Sequence, residues 1–514
     1  WRIIENEVEV LTGGEIKIWV EPVNFPITFS HPHLLNGEKQ VEKRATTDET
    51  EYLIICPSEF KDAALSLAEM HSSDVAAVNI DKLNTEFVLQ DDITAGGLRE
   101  YIMKRIDDDY ELDGFLDLKF LLLFGDETHL PPIFNESPSF PSDDFYSTED
   151  SLCCNPQLYT GRIPVSTAGD ASTVVNKIRE YILTPTPGLW RSKVALVADD
   201  MRKELCAIAV AESSHTAHSQ KLYDTLKSLL PVQPIYGVHY SLHNCAYPDL
   251  TRNLIQTINN GVALINYIGH GDTETWAGER LLDKSRDLPL IHASDNRLAI
   301  WVAGTCSFGD YYNNNSFMED LLIKEDGAIA VVATTDAITP TSNWNYIKNL
   351  FGIDNDSGIA SYINNDVDIR LGKLVGDAKT PNDYIFHTFG DPALPLPFPK
   401  IDENLVDAYP ENIKWVKEDS ISFVGSPQHA SILIRNNENE YIFDYESDSL
   451  IYTIPETYVQ MDVSGSSTCF RIPEDAGTCD GCIVIQAYQE DETGWKGYIE
   501  TLPNISLLSS DENF

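Results

Sequence analysis

The stretch Val262-Ala-Leu-Ile-Asn-Tyr-Ile-Gly-His270-Gly271-Asp272 is an apolar run that stops abruptly at a histidine held between glycines. A second stretch, Arg297-Leu-Ala-Ile-Trp-Val-Ala-Gly-Thr-Cys306-Ser-Phe-Gly309-Asp310, does the same and stops at a cysteine. Near-continuous apolar runs bounded by turn residues are the pattern of strands buried on both faces of a parallel sheet. In such sheets ligands sit beyond the carboxyl ends of the strands, so two neighbouring parallel strands would bring His270 and Cys306 side by side there. A thiol is a weak nucleophile until deprotonated, and an adjacent imidazole either takes its proton or stabilises the thiolate. Gly269 and Gly271 are expected to let backbone approach a substrate, and the N–H groups of Gly271 and Cys306 to form an oxyanion hole. Alone, such a histidine is more often a turn residue and such a cysteine a small buried hydrophobe. Both at equivalent strand ends favour chemistry.

Outward from this pair, the same alternation of apolar runs with amphipathic stretches extends in both directions, as in a parallel sheet wrapped by helices. Strands are expected at Tyr52–Cys56, Val75–Ile80, Lys119–Gly125 and Leu158–Ile163, with helices over 58–71, 96–107 and 170–183. A Thr184-Pro-Thr-Pro187 break separates a second series. Its expected strands are Lys193–Ala198, Ile235–Tyr240, Val262–Ile268, Arg297–Gly304 and Ala328–Thr334, with helices near 206–230, 249–259 and 316–325. Pro392-Ala-Leu-Pro-Leu-Pro-Phe-Pro399 cannot continue a helix or a central strand and closes the α/β region. Beyond it, short alternating segments spaced by Asn, Asp, Gly and Pro turns read as an immunoglobulin-like β-sandwich. The expected organisation is the end of a β-rich region (1–44), two tandem α/β subdomains (45–187 and 188–399) and the sandwich (400–514).

The 514 residues include 81 Asp+Glu against 36 Lys+Arg, a formal charge of −45, with 42% hydrophobic residues. That apolar content suffices for folded domains, and so large a negative charge repels a phosphate backbone, so nucleic acid is excluded as a partner. Apolar runs such as Phe120–Phe124 are far too short to span a bilayer, and no phosphate-binding glycine loop is present. The chain starts at Trp1, so a leader or pro-segment is expected to have been removed or left out. The 9 cysteines are an odd number, compatible with secretion and leaving at least one thiol unpaired. Cys479 and Cys482 form a CxxC that reads as a disulfide or a turn rather than a zinc site, since no second pair is near.

Several further segments accompany the His-Gly and Cys strands. They are Tyr52-Leu-Ile-Ile-Cys56, Phe120-Leu-Leu-Leu-Phe-Gly-Asp126, Leu158-Tyr-Thr-Gly-Arg-Ile-Pro-Val165, Gly327-Ala-Ile-Ala-Val-Val-Ala-Thr-Thr335 and Phe389-Gly-Asp-Pro-Ala-Leu394. Together with Tyr267–Trp276 they resemble the gingipain family of cysteine peptidases within the caspase–gingipain clan, including the sortase-like members of type IX secretion. The resemblance implies an α/β fold with caspase-haemoglobinase-like tandem subdomains followed by the sandwich. It implies His270 as base and Cys306 as thioester-forming nucleophile, with an acid orienting the histidine. Asp200 matches that acid best and Asp199 is the alternative, although either could be a solvated or helix-capping residue.

Where arginine-specific members carry a P1-binding aspartate this chain has Ser214, with Glu212 nearby, so arginine specificity is not expected. Asp336, Thr339 and Trp276 are the remaining candidate substrate contacts. No cofactor is required. Calcium is a candidate structural ion at Asp107–Asp109, Asp143–Asp144 or Asp354/Asp356. The implied activity is a secreted or cell-surface endopeptidase or sortase-like enzyme acting on polypeptides, including secreted proteins with C-terminal sorting domains. The rival reading is a peptidase-fold surface module without turnover.

Overall fold

The computed structural model describes residues 50–398 apart from 74–80, 136–139, 150–154, 201–214, 228, 313–315, 354–356, 366–369 and 381–382, and outside that range describes strand backbone alone. Its centre is a ten-stranded sheet. In chain order the strands are β1 (Tyr52–Cys56), β2 (Thr85–Leu89), β3 (Phe120–Phe124), β4 (Tyr159–Ile163), β5 (Val194–Ala198), β6 (Val232–Tyr236), β7 (Leu264–Ile268), β8 (Ala299–Gly304), β9 (Ala328–Thr334) and β10 (Phe386–Phe389). Their spatial order is β6-β5-β7-β8-β9-β10-β4-β3-β1-β2. The pairings are parallel except between β9 and β10.

The strands are apolar throughout because both faces are covered. In β1, Tyr52, Ile54 and Cys56 point into one core with α1 (Lys61–His71) and α3 (Ala168–Leu183), while Leu53 and Ile55 point into another with α2 (Ala95–Asp113). Further along the sheet, α4 (His215–Leu226) and α7 (Pro340–Phe351) cover the first face, and α5 (Pro248–Asn260) and α6 (Phe317–Ile323) the second. Each fully buried Leu or Ile contributes roughly 1.5–3 kcal/mol relative to exposure, which is why alternating polar residues are missing from these strands.

The two expected α/β series are present but are not separate units. The four residues of β10 pair with β9 on one side and β4 on the other, so the halves form one continuous sheet. Without β10 both β4 and β9 would present an unpaired edge inside the molecule, at the cost of every unmade ladder bond. The sequence Phe-His-Thr-Phe was too short and too polar to be read as a strand. The seam is closed by Arg162 of β4, fully buried, whose guanidinium donates to both Asp143 oxygens (2.7 and 2.8 Å) and to the Gly125 and Leu130 carbonyls (2.9 and 3.0 Å).

Other differences are local. The expected strand at 75–80 lies outside the described residues, and β2 pairs with β1 at 85–89. β6 begins three residues earlier than expected and ends where 3-10 helix Gly237–His239 begins. From Lys400 onward, the segments Lys400–Ile401 and Val406–Ala408 and eight more between Asp419 and Leu502 are arranged in a five-stranded sheet, a three-stranded sheet and a hairpin. In the N-terminal region, Arg2–Ile4, Glu7–Glu9 and Lys17–Trp19 form an antiparallel sheet.

Candidate active site

β7 and β8 are adjacent and parallel, with Ile268 opposite Gly304. Two residues beyond each of these positions stand His270 and Cys306, so the pair shares one sheet edge at equivalent depth. The His270 backbone is held from three sides. Its N–H donates to Asp199 Oδ2 (3.2 Å), and its carbonyl accepts from the Tyr267 hydroxyl (2.6 Å) and the Ala277 N–H (2.7 Å). The imidazole itself is exposed. A histidine with a fixed backbone and a solvent-facing ring can exchange protons without disturbing the core.

Cys306 is half-buried and unpaired. The loop after β9 lies against its sulfur, with the Ile338 N–H 3.4 Å and the Ile338 carbonyl 3.6 Å from Sγ. The next residue, Ser307, has φ +55°, and its N–H is shared between the Asp336 carbonyl (3.0 Å) and Thr334 Oγ1 (3.1 Å). A non-glycine residue in the left-handed region directly after the candidate nucleophile turns the chain sharply away from the strand axis. Among the described residues, the amides of Gly271 and Cys306 have no backbone acceptor.

The glycines have a different reason from the one expected. A Cβ at Gly269 would stand 2.1 Å from the Tyr267 hydroxyl and 2.6 Å from Asp199 Cβ. One at Gly271 would stand 2.7 Å from both the Thr275 carbonyl and Thr305 Oγ1. The space belongs to the protein's own atoms, the Tyr267 and Asp199 side chains at Gly269 and the Thr275 carbonyl with the Thr305 side chain at Gly271. Tyr267, quoted with the strand but not marked as a site residue, therefore holds His270 through a gap that glycine leaves.

Of the two aspartates, Asp199 rather than Asp200 lies with the histidine. Carboxylate oxygen of Asp199 and ring nitrogens of His215 and His270 all lie within 4.8 Å of one another. Asp199 also accepts from the Asp200 N–H (2.8 Å), whereas Asp200 takes the Tyr247 hydroxyl and packs against Gly237. Asp199, Asp200 and Glu279 form a second group within the same 4.8 Å limit. Burial, with Glu279 and Asp200 nearby, pushes the Asp199 carboxyl well above the usual carboxylate range, against two backbone N–H bonds that favour the charged form.

His215, at the start of α4, went unmarked as a site residue in the sequence because nothing in its neighbourhood patterns it with the strand ends. Its ring meets that of His270 edge-on, centroids 5.1 Å apart and planes at 87°. Burial, then the His270 and His218 rings, hold its pKa down to about 3. Asn343 of α7, also unmarked, donates to the Gly304 carbonyl at 2.7 Å and so braces the end of β8.

The expected substrate contacts divide. Trp276 is fully buried, stacked on Tyr267 with centroids 4.3 Å apart, and is core rather than pocket. Thr339 caps α7, accepting from the Ser342 N–H (3.2 Å). Asp336 lies beside the nucleophile, its carbonyl on Ser307 and its carboxylate on the Ala337 N–H (2.7 Å). Ser214 and Glu212 fall outside the described residues.

Among the calcium candidates, Asp143 is tied to Arg162, Asp144 to Lys379 (2.6 Å), and Asp109 to the N–H groups of Asp117 (2.7 Å) and Leu118 (3.0 Å). The loop at 354–356 is not described. Cys245 is disulfide-bonded, and the Cys479–Cys482 pair lies outside the described residues. No helix among the described residues is long and apolar enough to cross a membrane.

Comparison with known proteins bears on the family and the fold. The family model for peptidase family C25 matches residues 45–397. Gingipain R2 of Porphyromonas gingivalis is 27% identical over 271 residues, which is 49% of this chain and 33% of that protein. A gingipain R1 of the same organism is 26% identical over the same length, covering 25% of its own chain. The matches thus span a third or less of these relatives. Among solved structures, the crystal structure of the Arg-specific cysteine proteinase gingipain R superposes with a TM-score of 0.53 at 16% identity, covering 90% of this chain and 99% of that one. A complex of pro- and mature domains from Porphyromonas gingivalis gives 0.52 at 16% identity, covering 89% and 100%. At these identities the structures establish a common fold.

Proposed function

The chain belongs to peptidase family C25, and we propose that it is a cysteine endopeptidase in which His270 and Cys306 are the catalytic pair. The observation that carries this reading is the Ile268–Gly304 register between adjacent parallel strands, which sets both residues two positions past the same sheet edge. His270 takes the Cys306 proton, and the thiolate adds to the peptide carbonyl carbon. The resulting oxyanion is met by the Gly271 and Cys306 amides. His270 then gives its proton to the leaving amine as the C–N bond breaks, leaving a thioester that water hydrolyses. Asp199 accepts the His270 backbone N–H and so, in this reading, replaces Asp200 as the acidic residue that positions the histidine.

The substrate is polypeptide. With Asp336 beside the nucleophile and Trp276 withdrawn into the core, the wall opposite Cys306 is the loop running from Asp336 to Thr339. An extracellular or cell-surface setting, an immunoglobulin-like arrangement of the C-terminal strands and structural calcium belong to the same proposal. So does passage of the acyl group to an amine, as in sortase-like members acting on sorting domains.

The test is cleavage of a diverse peptide library by the folded wild type and by Cys306→Ala, with products read by mass spectrometry in the presence of an amine nucleophile. Cleavage lost in the variant is the expected result, and amine-capped products would add transpeptidation. Absence of cleavage by wild-type protein freed of any pro-segment would overturn the proposal in favour of a surface module without turnover.

A further inference from the structure

We propose that Asp199, His215 and His270 form a zinc site that, when filled, withdraws the catalytic histidine from the reaction. The inference deepens the peptidase reading and rests on it for its consequence, though not for the binding itself. Three donor atoms from three separate elements converge. Asp199 follows β5, His215 opens α4 and His270 follows β7, yet all three ligand atoms lie within 4.8 Å of one another. Two members, Asp199 and His215, are buried and fixed, while the third is exposed and free to turn. Zinc bonds of about 2.0–2.2 Å in a tetrahedral arrangement separate ligands by roughly 3.4 Å, so His270 has only to swing inward.

Two imidazoles with one carboxylate suit zinc and disfavour calcium or magnesium, which take oxygen ligands. Three protein ligands also leave a fourth position for water, the arrangement of an open rather than a closed structural centre. Asp200 and Glu279 stand with Asp199 in the overlapping carboxylate group, so the surroundings supply negative charge to a divalent ion. His270 bound to zinc through its lone pair cannot accept the Cys306 proton, and removal of the ion restores it. No bond in the substrate is involved, and the switch is reversible.

The experiment is calorimetric titration of the chelator-treated full chain with Zn2+, alongside His215→Asn and Cys306→Ala, with melting curves to establish that each is folded. We expect His215→Asn to lose one zinc equivalent or to bind it at least about tenfold more weakly, and Cys306→Ala to bind as wild type. Co2+ loaded into the wild type should give visible d–d bands that His215→Asn alters and no thiolate charge-transfer band at this site. Binding that His215→Asn leaves unchanged, or that requires Cys306, overturns the proposal. So does the absence of Zn2+ uptake by wild type. Should His215→Asn fail to fold, the difference in Co2+ spectrum between wild type and Cys306→Ala decides: identical spectra support the site, and loss of a thiolate band overturns it. Zinc uptake by a chain that cleaves no peptide would sustain the site and bring down only the peptidase reading.

Discussion

The two halves of the sheet contain the same chemical groups and use them differently. In the first half, β1 ends at Cys56, and His71 of α1 lies 2.6 Å from the Asp391 carboxylate, which also accepts from the Tyr52 hydroxyl (2.7 Å) and the Ala393 N–H (2.9 Å). In the second half, the strand ends carry Cys306 and His270, with Asp199 behind the histidine. The residues match, but the surroundings do not. His71 and Asp391 are both buried and satisfied, and His71 draws the Asp391 carboxyl below its ordinary range although burial alone would raise it. Burial, with Asp91 adding, pushes the Cys56 thiol up to about 12. Reactive groups need an open side: His270 faces solvent, and Cys306 lies only half under its loop. A histidine–aspartate pair packed on both faces is a structural clasp, whereas an open face leaves the imidazole accessible.

The sharpest way to break this comparison is to remove each histidine in turn. His270→Ala should lower peptide hydrolysis on the order of 10⁴-fold with little change in melting temperature. His71→Ala should instead destabilise the fold by about 3–5 kcal/mol, because it leaves Asp391 charged and buried without its partner. Denaturant titration beside initial rates reads both, and a His71 variant that is stable but inactive would sink the distinction.

Thiol alkylation tests the cysteines directly. In native protein near neutral pH, Cys56 should react on the order of a thousandfold more slowly than an ordinary exposed thiol, whereas Cys306 should label readily and more slowly in His270→Ala. Mass mapping of the adducts checks this, and equal labelling of Cys56 and Cys306 would contradict it.

Gly269→Ala should cost about 1–3 kcal/mol of stability and remove activity, since its Cβ meets both Tyr267 and Asp199. Activity retained at full strength would mean that Tyr267 does not position His270.

His215 supplies a pH dependence. Its folded pKa, about 3, lies below the unfolded value, so its contribution to stability is complete above pH ~6.5 and declines as pH falls from there towards 3. The slope should be at most about 1.4 kcal/mol per pH unit, and His215→Asn should flatten it. Unfolding midpoints measured across that range decide.

Ser307→Gly, the smallest effect, should stabilise by up to roughly 1 kcal/mol, since glycine takes the left-handed φ without strain. A destabilised variant would point to an unrecognised role for the Ser307 hydroxyl.

By itself the sequence determined the α/β class, seven of the ten strands of the sheet with an eighth in part, and the candidate pair His270 and Cys306. These follow from local pattern: a strand buried on both faces must be apolar along its length, and a reactive side chain at its end interrupts that pattern visibly. Tertiary structure decided what depends on residues far apart in the chain. Phe386–Phe389 became a strand because β4 and β9 both needed a neighbour, which no propensity of four residues encodes. Which of the neighbouring carboxylates Asp199 and Asp200 reaches the histidine is set by partners far along the chain, the His270 N–H for Asp199 and the Tyr247 hydroxyl for Asp200. Trp276 turned inward to stack on Tyr267. His215 joined the site across a gap of 55 residues, by the packing of α4 against the sheet. Side-chain direction and long-range neighbours are properties of the folded chain, so the residues around the candidate pair were hidden where the pair itself was not.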